Sequence, residues 1–129
     1  MATSNEPSKP RTQAHLATGA GAYVLAIETA APQGGLALER PDGTWVERPF
    51  TSANQHAQRL VPLLAELLPH VPQELGLVLV DRGPGSHTGT RIGLAVANML
   101  AWQLGVPTLG VCSLDCLAHA AAAGPLGWG

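Results

Sequence analysis

Aromatic side chains are scarce: three Trp, one Tyr and one Phe in 129 residues. A core must therefore be built from Leu, Val, Ile and Ala. Charge is scarce too, at 12% of residues, well below the usual quarter. Positive charge is not in excess, since seven Lys+Arg face nine Asp+Glu for a net −2. That excludes binding of nucleic acid through a strong basic field. The hydrophobic share of 46% excludes a wholly disordered chain, and the length suits one domain. Fifteen glycines and eleven prolines call for many turns. Two cysteines, Cys112 and Cys116, cannot make a disulfide scaffold or fill a zinc site. Four apart in a predicted helix, they read as small buried apolar side chains. The histidines, His15, His56, His70, His87 and His119, form no H-x-x-x-H or H-E-x-x-H pair, so no metal site is predicted.

Residues 1–22 hold no apolar run of secretory-signal length. Their Pro, Ser, Thr and Ala content predicts a disordered tail. Residues 92–114 carry no charge and are long enough to span a bilayer. Asn98, Gln103 and the Gly105-Val106-Pro107 break divide that run. It reads as a buried helix followed by a buried strand, in a chain without a membrane partner.

Residues 24–29 (VLAIET) form a continuous apolar run that suits a central strand covered on both faces. Turn chemistry follows at Pro32-Gln33-Gly34-Gly35 and Pro41-Asp42-Gly43. Between and after these turns, residues 36–39 and 44–48 read as short strands, the last ended by Pro49; the three make an antiparallel meander. Apolar residues spaced three and four apart predict an amphipathic helix over 54–68, capped by Ser52 or Asn54 and containing Pro62. Residues 75–80 (LGLVLV) predict a fourth strand buried on both faces. A glycine-rich loop, DRGPGSHTGT, leads into a helix over 89–104, then a strand over 108–111 and a Ser113-capped helix over 114–123. The order β-β-β-α-β-α-β-α implies an α/β fold, a mixed five-stranded sheet with helices on its faces. It is the order of a ribonuclease-H-like lobe of the actin-like ATPase superfamily.

The loop from Gly83 to Gly89 joins a buried strand to a helix, where backbone N–H groups can meet an anion. It matches neither G-x-x-x-x-G-K-[ST] nor G-x-G-x-x-G, so a structural turn that shapes a partner surface is the favoured reading. Ser86 and His87 beside Asp81 do not make a hydrolase site: adjacent side chains diverge, and G-x-S-x-G is absent. No catalytic residue is assigned. Glu28 and Thr29 at the end of the central strand, with Gly83 and Gly85, are candidates for holding a nucleotide; the alternative is a strand end that caps its own turn. Gly89, Gly93, Ala97 and Ala101 recur every four residues and form a ridge nearly without side chains. Such a ridge admits another backbone closely. It packs either on the domain's own sheet or on a partner.

The segments VLAIETA, HAQRLVPLLAELL, GPGSHTGTRIGLAVANMLA and PTLGVCSLDCLA, in this order, resemble the N-terminal half of the bacterial TsaB (YeaZ) family over about 24–123. The resemblance implies an actin-like lobe over 23–124, a short tail over 125–129, and a second lobe not contained in these residues. It implies a cytoplasmic, non-catalytic subunit for threonylcarbamoyladenosine synthesis in tRNA. A TsaD-like transferase would be its partner, a TsaE-like ATPase would join with ATP and magnesium only in the full complex, and tRNA would be met indirectly. A homodimer is a second arrangement. The partner surface implied on the two lobe helices comprises His56, Arg59, Leu60, Leu64, Gly89, Arg91, Gly93, Ala97 and Ala101. The sequence departs from the family where Glu28 replaces a usual Asp, His87 a usual Phe and Thr90 a usual Leu. The competing function is an ATP-binding or hydrolytic (glycoprotease-type) member of the superfamily.

Overall fold

The apolar run after residue 22 becomes the middle strand of a mixed sheet. A computed structural model describes residues 22–51, 56–68 and 74–123. Its elements are β1 (Tyr23–Glu28), β2 (Gly34–Glu39), β3 (Trp45–Phe50), α1 (His56–Leu67), β4 (Leu75–Asp81), α2 (His87–Leu104), β5 (Thr108–Val111) and α3 (Ser113–Ala123). The sheet order is β3-β2-β1-β4-β5. β1 pairs antiparallel with β2 and parallel with β4, and β4 pairs parallel with β5. This is the expected mixed five-stranded sheet. The predicted tails, the caps Ser52 and Asn54, and His70 lie outside the described residues.

One face of the sheet carries the core. Leu25, Ile27, Leu36, Leu38, Val78 and Val80 point to it and join Leu60 and Leu64 of α1 with Ala97 and Leu100 of α2. α1 lies over β2 and β3; α2 lies over β4, touching β1 and β5. The alternate residues Val24, Ala26, Glu28, Leu77 and Leu79 are only half-buried. β1 and β4 are therefore not covered on both faces, which corrects the reading of their continuous apolar runs. A strand rich in β-branched and Leu residues on both sides is compatible with either one or two covering layers.

Local chemistry explains the element ends. Pro49 sits inside β3 rather than ending it, because β3 is an edge strand and a missing N–H is tolerated there. Pro62 sits on the exposed side of α1, where the carbonyl it leaves without an N–H can face water. α2 starts two residues before the expected Gly89. Ser86 is its cap, its hydroxyl accepting the Gly89 N–H at 3.0 Å. Gly105, left-handed at φ 67°, ends the helix through an N–H bond to the Ala101 carbonyl.

The small-residue ridge of α2 faces the chain's own sheet. Gly89, Gly93 and Ala97 are buried, and a Cβ at Gly89 or Gly93 would collide with the Thr29 carbonyl or hydroxyl oxygen. Ala101 packs half-buried against the core. Leu60 and Leu64, at 0% and 6% exposure, fill the interior under α1. These six assignments to a partner surface are therefore corrected: close backbone approach happens, but within the lobe. Cys112 is half-buried and Cys116 exposed, so neither is the buried apolar side chain expected.

Ala97→Leu places extra methylenes where α2 meets the sheet. Overpacking of this kind costs about 1–3 kcal/mol, so the isolated variant should melt several degrees below wild type. A melting point unchanged in differential scanning calorimetry would show that the ridge has room to spare.

Candidate functional site

The C-terminal ends of the adjacent parallel strands β1 and β4 bring two carboxyl groups together. Glu28 and Asp81 stand side by side where these paired strands end. The Glu28 Oε1 also accepts the Ala30 and Ala31 N–H groups at 2.6 and 3.2 Å. Asp81 is 4% exposed. It accepts the Ser113 hydroxyl at 2.5 and 2.7 Å on its two oxygens and the Gly83 N–H at 2.8 Å. Burial, reinforced by the neighbouring Asp81, pushes Glu28 from 4.5 up to about 7. Burial works against charge on Asp81 as well, but its neighbours Glu28, Ser113 and Gly83 outweigh it and hold that group below its usual range. Of the two, Glu28 is the one that burial and its acidic neighbour push toward the neutral form.

A cavity of about 640 Å³ opens beside the pair on the half-covered sheet face. Small residues Ala26, Gly35 and Ala37 form its floor, Pro49 and Phe50 one wall, and Cys116 of α3 another. Burial, followed by the nearby Asp81 and Glu28 carboxyls, raises the Cys116 thiol, which keeps it neutral. None of the residues lining the cavity is Lys, Arg or His.

The glycine-rich loop spends its polar groups inward. Gly83, at φ 93°, makes the sharp turn; its N–H serves Asp81 and its carbonyl accepts the Ser113 N–H. The Ser86 N–H goes to the Ala30 carbonyl at 2.7 Å. Thr29 is fully buried and donates its hydroxyl to the Gly89 carbonyl at 2.6 Å. Thr29 and Gly83 are therefore structural, and their roles as nucleotide ligands are corrected; Glu28 lines the cavity, and Gly85 is exposed in the loop. Ser113 donates to Asp81 rather than capping α3. The Ser113–Asp81 contact is separated by 32 residues, and no sequence spacing announces it. Arg59 and Arg91 are exposed; α1 begins at His56. The outer face of α2 also exposes Met99 and Trp102, at 45% and 86%, and α1 exposes Val61. The i, i+3 spacing of Met99 and Trp102 was the available signal for this patch.

A family model described as TsaD, tRNA N6-adenosine threonylcarbamoyltransferase, matches residues 47–126. The tRNA threonylcarbamoyladenosine biosynthesis protein TsaB of Bacillus subtilis is 40% identical over 98 residues, covering 74% of this chain and 43% of the relative. The chain belongs to the TsaB family. The Escherichia coli TsaB is 35% identical over 101 residues, 76% of this chain and 43% of its own. The solved structure of YeaZ from Pseudomonas aeruginosa superposes with a TM-score of 0.72 at 31% identity, covering 79% of this chain and 49% of that one. This TsaB-family chain spans about half the length of these relatives.

The acid pair gives stability a defined pH dependence. Glu28 is raised on folding, so its contribution is full below about 4.5 and is lost as pH rises through about 7. Asp81 is lowered, so its contribution is lost only in acid. Glu28→Gln keeps a donor toward Asp81 and removes the first effect. At about pH 8 the variant should be more stable than wild type by about 1–2 kcal/mol, a figure discounted for water screening of the half-buried group. Urea midpoints across pH check this; a variant less stable than wild type at every pH would refute it.

Proposed function

We propose that this chain serves threonylcarbamoyladenosine formation in tRNA as a non-catalytic subunit, docking on a TsaD-like transferase in the cytoplasm. The exposed apolar side chains on the outer helix faces carry this reading. Trp102 at 86% exposure, with Met99 on the same helix and Val61 on α1, is expensive to leave in water and typical of an interface anchor. Arg59 and Arg91, exposed on the same two helices, supply a polar rim. The matched relatives named for this biosynthesis support the pathway. A TsaE-like ATPase and tRNA would then be met through the transferase, and a second copy would use the same face when the transferase is missing.

A second reading is favoured by one observation. The Glu28–Asp81 pair lies beside a cavity at the carboxyl ends of parallel strands, where α/β sheets bind ligands. That reading makes the chain a nucleotide-binding or hydrolytic member of the superfamily. Titration of ATP with magnesium into the pure protein separates the two: a saturable rise in melting point supports nucleotide binding by the chain alone, and no rise supports the docking subunit.

Trp102→Glu should weaken binding to a TsaD-like protein by about 30-fold or more, the effect of losing one interface hot spot. Its melting point should stay that of wild type. Trp45→Glu, at an exposed position that opens the edge strand β3, should leave binding intact. Calorimetric titration of both variants is the check; equal affinities for Trp102→Glu and wild type would move the partner surface elsewhere.

A further inference from the structure

The sheet face turned away from α1 and α2 is apolar in its middle and acidic at its margins. We propose that this face docks a basic amphipathic helix supplied by a second polypeptide. The inference is independent of the docking reading above, which uses the outer sides of α1 and α2.

Strand alternation decides what lies there. Leu25, Ile27, Leu36, Leu38, Val78 and Val80 take the covered face, so the residues between them take the other. Ala26 is in register with Ala37 of β2 and Leu79 of β4, and Leu79 with Leu109 of β5. These four make an apolar band across four strands. Leu109 is 51% exposed, and Trp45, on the β3 side of the same face, is 53% exposed. Parallel strands such as β1, β4 and β5 are ordinarily covered on both faces. Here α3 brings Cys116 to the cavity and leaves Leu114 and Leu117 exposed.

The charges on this face have one sign. Glu28 and Asp81 stand at one end of the band. Glu39 stands at the other end, in register with Val24 and Trp45, and Glu47 lies on β3 in register with Ala37. Among the described residues, the one base in the five strands is Arg48. It is turned to the covered face, where it pairs with Glu66 of α1 at 3.3 Å. Acid on three sides of an apolar floor disfavours a nucleotide, a nucleic acid or an anionic membrane. It disfavours a second copy of this chain as well, since acid would meet acid. A helix with Lys or Arg beside an apolar stripe answers both features: the stripe meets the band and the bases meet its frame.

The dimensions are those of one helix. The cavity of about 640 Å³ lies over Ala26, Gly35 and Ala37, between Pro49 of β3 and Cys116 of α3. Its small floor residues leave room for large apolar side chains. Three strands span about 10 Å, close to the width of a helix. A six-residue strand is about 20 Å long, the length of about 14 helical residues.

Two synthetic peptides of about 14 residues test this on the full chain. Both carry Leu at alternating spacings of three and four; the other positions are Lys in one and Glu in the other. Calorimetric titration should show saturable binding of the Lys peptide that weakens as salt is added, and binding of the Glu peptide weaker by about tenfold or more. Amide shifts on binding should centre on Ala26, Ala37 and Leu79 and spare Met99 and Trp102. Ala37→Arg raises a long cation from the floor and should abolish binding. Glu47→Lys, at an exposed position of the edge strand, should weaken it by about threefold or more, which guards against the first variant failing to fold. Trp102→Glu should bind the Lys peptide as wild type does, so this result is separate from that for the TsaD-like partner. Equal affinity for the two peptides, or no saturable binding of the Lys peptide, would overturn the proposal. Shifts centred on Met99 and Trp102, or undiminished binding by both Ala37→Arg and Glu47→Lys, would do so too.

Discussion

Thr29 is the residue on which the lobe turns. It follows directly on the central strand, is fully buried, and gives its hydroxyl to the carbonyl of Gly89 in the first turn of α2. The helix can come this close only because Gly89 and Gly93 have no side chain to strike Thr29. That single approach fixes the height of α2 over the sheet. It also sets the loop before α2, whose Ser86 N–H reaches the Ala30 carbonyl. The strand end, the loop and the helix start are thus one connected unit, and the carboxyl pair is built on its edge.

The unit separates two surfaces with different chemistry. On one side of the sheet α1 and α2 cover a Leu- and Val-rich core and turn Met99, Trp102 and Val61 outward. On the other side the strands are half open, floored by alanine and glycine, with Glu28 and Asp81 at the end of the cavity. Apolar exposure on the first side suits a protein partner. Buried acid on the second suits a small ligand or a proton. Both surfaces depend on the Thr29 contact, since a shifted α2 would alter its exposed stripe and the ends of β1 and β4 together.

The carboxyl pair follows from topology rather than from acidity of composition. The chain has only nine acidic residues. Two of them become neighbours because β1 and β4, far apart in sequence, run parallel in adjacent positions. Once there, the low exposure of Asp81 and its three donors fix which group is charged. Burial and the neighbouring Asp81 then push Glu28 up to about 7.

Periodicity and turn chemistry in the sequence settled the element order, the mixed sheet and the central place of β1. Those are local matters: apolar spacing chooses helix or strand, and glycine and proline choose turns. The ordered segments around GPGSHTGTRIG also settled the family resemblance. Which way the ridge of α2 faces was not legible, because close approach of a small-residue helix looks the same whether its partner is a neighbouring strand or another chain. Coverage of β1 and β4 on one face rather than two was hidden for the same reason, as Val, Leu and Ala suit both. Only the tertiary structure assigned Thr29 and Gly83 to internal bonds, joined Ser113 to Asp81 across 32 residues, and set Glu28 against Asp81. Those contacts arise from strand pairing between distant segments, and their energies depend on burial that no single stretch of sequence contains.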